Sequence, residues 1–203
     1  MICYFCKKRS TNSLCNCCKA QLTPKINLLP SLPNICLGVY LYNYENIIQD
    51  IIRSAKFNSN LACARLIQCK INQSIIPNIL LESDMIVPIR SHWFRQLLRG
   101  RSHIQTIFKS LSMQQNYVSN GLSRYGFQPA SYKLRKSQRI LNKSTQQFKW
   151  NFHKKSVKSV TLLDDVCTTG ATLTMIARLL KSHGIDTVMV LVIAYVQRNQ
   201  ANK

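Results

Sequence analysis

The reactive chemistry of this chain is densest in the stretch Val160-Thr161-Leu162-Leu163-Asp164-Asp165-Val166-Cys167-Thr168-Thr169-Gly170-Ala171-Thr172. Two adjacent carboxylates close an apolar run, and a small hydroxyl-rich turn follows them. Carboxylates in that place accept hydrogen bonds from sugar hydroxyls or bind a hydrated Mg²⁺. The turn suits phosphate. Thr168, Thr169 and Thr172 add hydroxyl donors, Gly170 lets the backbone approach an anion, and a following helix N-terminus offers unpaired N–H groups and partial positive charge. Acids beside a phosphate-type turn match the two halves of a phosphorylated sugar. The competing reading is a solvated strand end and an ordinary capped turn. The chain has only seven Asp and Glu, and finding two of them adjacent here favours the ligand.

A second constellation opens the chain. Cys3-x-x-Cys6 and Cys15-x-x-Cys18 are separated by eight residues. Paired steps of this kind present four thiolates in tetrahedral geometry and point to structural Zn²⁺ bound by Cys3, Cys6, Cys15 and Cys18. Lys7, Lys8 and Arg9 offset the thiolate charge. Cys17 is a spare, so the second knuckle could use another pair. Free thiols, or an oxidised pair in a secreted protein, are the alternatives. A segment of about twenty residues cannot hold a core alone, so the metal would supply most of its folding energy. Cys36, Cys63, Cys69 and Cys167 are isolated and read mostly as small buried hydrophobes.

A third feature is charge. Arg90, His92, Arg95, Arg99, Arg101 and His103 fall within fourteen residues, and between Met85 and Leu163 there are fifteen Lys and Arg and no acid. Such a loop is either a solvated basic surface or a site that neutralises pyrophosphate. His92 and His103 are weighed as bases, but as surface histidines they carry no special signal. Aromatics such as Trp93, Phe94, Tyr125 and Trp150 interleave with the cations, a composition that suits single-stranded nucleic acid. Arg101, Lys133, Arg135, Lys136 and Arg139 are the expected DNA contacts. The net charge of +21 agrees with a polyanionic partner.

The elements that position these residues follow from periodicity. Val160 to Leu163 and Thr187 to Tyr195 read as buried strands, with a helix between them on Leu173, Ile176, Ala177 and Leu180 and a stop at Gly184. Earlier, Leu37 to Tyr42 suggests a short strand. Ile47, Ile48, Ile51, Ile52 and Ala55 trace a helix ending near Lys56-Phe57-Asn58, and Leu61 to Ile71 a second. Met85 to Ile89 reads as the first strand of the main sheet, with Pro88 at its end. Ile104, Ile107, Phe108 and Leu111 resume a helical face. Pro24, Pro30 and Pro33 exclude a helix between residues 20 and 35, which reads as an extended tether. The expected organisation is a zinc finger at 1–22, a linker at 23–36 and an α/β domain at 37–200. A hydrophobic fraction of 46% is enough for a real core. The longest apolar run, Val188 to Val196, is about half a membrane span, and the first residues form no signal pattern, so a cytoplasmic protein is expected.

The segment at 160–172 resembles the phosphoribosyl pyrophosphate (PRPP) signature of type I phosphoribosyltransferases. That resemblance implies a Rossmann-like, mostly parallel sheet flanked by helices. It also implies that Asp164 and Asp165 contact the ribose 2′- and 3′-hydroxyls, while Val166, Cys167, Thr168, Thr169, Gly170, Ala171 and Thr172 cradle the 5-phosphate. The wider layout resembles the ComF family, phosphoribosyltransferase-like proteins associated with DNA uptake in natural transformation. The likeness runs through the four-cysteine finger, Tyr44 to Lys56-Phe57, Val87-Pro88 with His92 and Arg95, Arg99-Gly100, Leu122-x-Arg124, Arg139-x-x-Asn142, Phe148 and the signature. The chain departs from the family at Ile89-Arg90-Ser91 and at Arg101-Ser102-His103, where the family usually has Val-Pro-Leu and Phe-Asn-Gln. The resemblance implies PRPP with Mg²⁺ as ligand and Arg90, Arg95 and Arg99 as residues stabilising the departing pyrophosphate while an acceptor attacks C1 of the ribose. It further implies single-stranded DNA and a helicase or uptake-machinery protein as partners. The alternatives are a non-catalytic DNA- or partner-binding scaffold with a regulatory or vestigial PRPP site and, with less support, a nucleotide-salvage enzyme.

Overall fold

The computed structural model describes residues 1–3, 5–11, 15–57, 60–72, 76–89, 103–124, 148–152 and 156–197. The elements are α1 (Asn16–Gln21), β1 (Asn27–Leu28), β2 (Leu37–Asn43), α2 (Asn46–Phe57), α3 (Leu61–Ile71), α4 (Asn78–Leu81), β3 (Met85–Pro88), α5 (His103–Ile107), a 3₁₀ turn at Leu111–Met113, β4 (Leu122–Arg124), β5 (Phe148–Trp150), β6 (Ser159–Cys167), α6 (Ala171–Ser182) and β7 (Thr187–Tyr195).

Five strands form one sheet in the order β1-β2-β7-β6-β3. β2, β7, β6 and β3 are mutually parallel, and the two-residue β1 runs antiparallel to β2. Parallel strands buried on both faces must be apolar throughout, and β7 (Thr-Val-Met-Val-Leu-Val-Ile-Ala-Tyr) is buried from Val188 to Ala194. Its side chains alternate. Met189, Leu191 and Ile193 join Leu163 and Ile86 in a core with α2 and α3, while Val188, Val190 and Val192 join Val160 and Leu162 in a core with α6. The chain is therefore three-layered, helices on each face of a mostly parallel sheet.

The helices follow their apolar stripes. In α2 the buried residues are Ile47, Ile48, Ile51, Ile52 and Ala55, each large one contributing about 1.5–3 kcal/mol by burial. Asn60 caps α3, its side chain accepting from the N–H groups of Ala62 and Cys63. In α6 the buried face is Leu173, Ile176, Ala177 and Leu180, and Gly184 at φ 81° ends the helix. β3 is not the first strand of the sheet, since β2 precedes it; β3 instead takes the far edge, where the missing N–H of Pro88 disturbs no ladder. Segment 23–36 contributes β1 to the opposite edge and buries Leu29 against Gly38. Leu22 and the cysteines Cys3 and Cys18 belong to the same core as α2. Among the described residues no helix is long and apolar enough to cross a membrane.

Candidate functional site at the carboxyl end of the sheet

β6 is the second strand from one edge of the sheet and runs through both acids to Cys167. Open parallel sheets place ligands at this end of their strands. The two carboxylates differ sharply. Asp165 is buried, with its side chain 6% exposed, and it is the one buried side chain of a charged type among the described residues. Its Oδ2 lies 2.6 Å from Lys56 Nζ, at the end of α2, and 2.8 Å from His103 Nε2, at the start of α5. Its Oδ1 accepts the Val166 N–H at 2.8 Å. Asp164 is half-buried, and its Oδ1 accepts the neighbouring Asp165 N–H at 2.9 Å.

Electrostatics separate the pair further. Packing around Asp164 pushes its carboxyl up to about 8, and the Asp165 charge pushes the same way, against the pull of Lys56. Burial alone would also raise Asp165, but the His103 hydrogen bond and the Lys56 charge outweigh it and hold the carboxyl well below the usual carboxylate range. Two adjacent carboxylates cannot both ionise cheaply, and here the charge settles on Asp165, where the cations are.

The phosphate-type turn is in place beside them. Gly170 stands at φ 72° and caps the twelve-residue α6 without a side-chain hydrogen bond, while Thr169 Oγ1 accepts the Ala171 N–H at 3.3 Å. Thr168 and Thr169 are exposed and Thr172 is half-buried. The space that a Cβ on Gly170 would fill is not open for an anion, however. Leu32 fills it, with Cδ2 only 2.5 Å from that position. The glycine is therefore needed both for its backbone conformation and for packing by the segment before β2. Cys167 is buried, and burial, then the Asp164 charge, push its thiol up to about 11, so it is a protonated core residue and not a reactive thiolate. Of the other isolated cysteines, Cys63 is buried but Cys36 and Cys69 are exposed, contrary to the expectation of buried hydrophobes.

The four N-terminal cysteines converge. The Sγ atoms of Cys3, Cys6, Cys15 and Cys18 all lie within 4.8 Å of one another, with Cys3–Cys18 at 3.7 Å and Cys6–Cys15 at 3.6 Å. Tetrahedral zinc with Zn–S near 2.3 Å requires S···S separations of about 3.8 Å, so the residues fit the metal. The first knuckle is a tight turn: Lys7 has φ 61° and Ile2 bridges Arg9, with the Cys3 N–H donating to Lys8 O. The second is the start of α1, where Cys15 caps the helix. N–H groups of Cys15 and Cys6 lower the Cys3 thiol to about 6, whereas burial and the neighbouring sulfurs push Cys18 up to about 12. A buried sulfur among three others is the environment a bound cation would relieve. Cys17 is exposed and stands outside the cluster.

Arg90, Arg95, Arg99, Arg101, Lys133, Arg135, Lys136 and Arg139 lie outside the described residues, as does His92. Lys56 enters the sequence reading as a helix end and as part of the family likeness, with no role in the site. His103 is no surface histidine, since its side chain is 9% exposed and bonded to Asp165. A cavity of about 260 Å³ opens at the β1–β2 edge beside Thr23, Lys25, Tyr40, Asn43, Glu45 and Gln197; neither Asp164 nor Asp165 lines it.

No protein-family model matches the sequence, and no curated protein matches it. Among solved structures, a hypothetical protein from Neisseria gonorrhoeae, crystallised with bound ppGpp, aligns over 86% of this chain and 78% of its own at 15% identity, with a TM-score of 0.33. A likeness at that level assigns neither a ligand nor an activity to this chain.

Proposed function

We propose that this chain is a PRPP-binding, type I phosphoribosyltransferase-like protein of the ComF kind, acting with single-stranded DNA in natural transformation. One observation carries the reading. The acid pair and the Thr-Thr-Gly-x-Thr turn occupy the carboxyl end of an interior parallel strand, directly before a twelve-residue helix that opens on a left-handed glycine. A half-open Asp164 beside exposed threonines and a helix N-terminus supports a ligand that is hydroxylated at one end and anionic at the other. The same ligand explains the resemblance in the sequence. The four-cysteine cluster fits structural Zn²⁺, and Mg²⁺ would accompany PRPP to shield its pyrophosphate.

In this reading the chain's own groups bind and orient. Asp164 accepts from a ribose hydroxyl, and the turn at Thr168 to Thr172 receives the 5-phosphate. Arg90, Arg95 and Arg99 would offset the charge of the departing pyrophosphate, and the basic middle segment would supply the DNA contacts. Calorimetric titration of PRPP with Mg²⁺ tests the reading, using the wild type and an Asp164→Asn, Asp165→Asn double variant. Binding by the wild type that vanishes in the double variant is expected. Equal affinity in both would remove the site, and no binding by either would favour the DNA- or partner-binding scaffold.

A further inference from the structure

An ionised carboxylate offers about four acceptor positions. Asp165 already uses three: the Val166 N–H on Oδ1, and Lys56 and His103 on Oδ2. Asp164 uses one, for the Asp165 N–H. Among the described residues, a ligand hydroxyl arriving at the end of β6 finds more acceptor room on Asp164 than on Asp165. The Lys56 ammonium is in the opposite condition. It has three donors, of which Asp165 takes one among the described residues, and the side chain is a third exposed.

We propose that the two acids have different jobs: Asp165 is a positioning residue that, with His103, fixes the Lys56 ammonium at the mouth of the site, and Lys56 itself receives the diphosphate end of the ligand. This rests on the PRPP reading for the identity of the ligand and departs from it in the role of Asp165. The physical case is one of preorganisation. A lysine on a flexible four-carbon stem is a poor anion site until something holds it. The 2.6 Å contact to a buried carboxylate holds it, and it anchors the end of α2 to the end of β6. Because Asp165 is itself bracketed by two partners, the charge that holds Lys56 does not repel an incoming anion as a bare carboxylate would. His103 donates its Nε2–H to Oδ2 at 2.8 Å and limits where the carboxylate can turn. The simpler alternative is that Lys56 is only the counter-ion of a buried acid. The two accounts part when both charges are removed together.

The test is titration of inorganic pyrophosphate, and separately PRPP, each with Mg²⁺, into the full chain. The variants are Lys56→Met, Lys56→Arg, Asp164→Asn and the paired Lys56→Met with Asp165→Asn, with thermal unfolding run on each. The pair removes buried acid and counter-ion together, so it keeps the fold where Lys56→Met alone loses stability. The proposal expects the folded pair to bind pyrophosphate about tenfold more weakly or worse than wild type, with Lys56→Arg recovering part of the loss. Pyrophosphate affinity of the pair within about twofold of wild type would overturn it and leave Lys56 a counter-ion. Asp164→Asn separates this from the parent reading. It should weaken PRPP more than pyrophosphate. If it weakens neither while Lys56→Met weakens pyrophosphate, the ribose assignment falls and the Lys56 assignment stands. Wild-type protein that takes up neither ligand would sink both.

Discussion

The two candidate sites of this molecule are built in opposite ways. The cysteine cluster is closed by short turns: four sulfurs from residues 3 to 18 meet because each Cys-x-x-Cys step is itself a knuckle. The end of β6 is closed by distant parts of the chain, with Lys56 arriving on α2 and His103 on α5, 62 residues from the Asp165 it bonds. The first site stands or falls with a metal and with local geometry. The second stands or falls with the packing of two helices on one face of the sheet. A locally closed site leaves its whole ligand set in the spacing of the sequence. A tertiary site leaves there only the half that sits on its central strand.

The largest effect that could break this contrast concerns the metal. If the cluster holds zinc, replacing Cys3 and Cys6 by Ser should lower the metal from one per chain to none and unfold residues 1–22, where a bound zinc would contribute roughly 10 kcal/mol of folding energy. Metal analysis with hydrogen exchange over residues 1–22 reads both, and zinc that stayed stoichiometric would show the cluster is not its seat. The tertiary site should respond through stability first. Lys56→Met strands a carboxylate that is 6% exposed and should cost about 3 kcal/mol in chemical denaturation. A loss under about 0.5 kcal/mol would mean that His103 alone satisfies Asp165. Gly170→Ala sharpens the same contrast at the turn. A left-handed alanine that also meets Leu32 should cost about 2 kcal/mol, and adding Leu32→Ala should return part of it in a double-mutant cycle. Strictly additive costs would dissolve that contact.

The acid pair also carries a pH dependence. Asp164 is raised to about 8 in the fold and is near 3.9 when unfolded, so the fold keeps a proton the open chain has lost. Its contribution is present at low pH and declines as pH rises from about 4 to about 8. Asp165 has the opposite sign: held below the usual range, it contributes above about pH 4 and loses that contribution on further acidification. Asp164→Asn should therefore flatten the fall of Tm between about pH 4 and pH 8. Parallel curves for wild type and variant would place the shared proton elsewhere.

Much of the fold was legible because period and burial agree. The five residues read as the buried face of the helix after Tyr44 are the five buried in α2, and Leu61 to Ile71 is α3. The strand at Thr187–Tyr195 was equally clear, since a run buried on both faces has few other homes. The four cysteines and the acid pair were visible for the same local reason. Lys56 was not, because a lysine at a helix end is a common and favourable cap to the dipole and nothing in its neighbours marks a distant carboxylate. His103 was weighed as a surface residue, since burial by a helix packing elsewhere leaves no trace in a basic run. The role of Leu32 was invisible for a related reason: a glycine after two threonines signals a turn, not the side chain that will lie against it.

The short β1 has a consequence for how the protein keeps to itself. A parallel sheet with long, apolar inner strands is a hazard if an edge is left open, because its unpaired amides can recruit a strand from another chain. Here one edge is dressed by β1 and its flanks, with Lys25 N–H donating to Leu41 O and Leu29 N–H to Gly38 O. The other is shortened to four residues, ends in a proline, and is crossed by Asn116 to Val118, which bond the backbone of Ile86 on both sides. The proline-rich segment leading from the cysteine cluster is thus also a selvedge, and a truncation that removed it would open the β2 edge to strands of other chains as well as uncover Gly38 and Gly170.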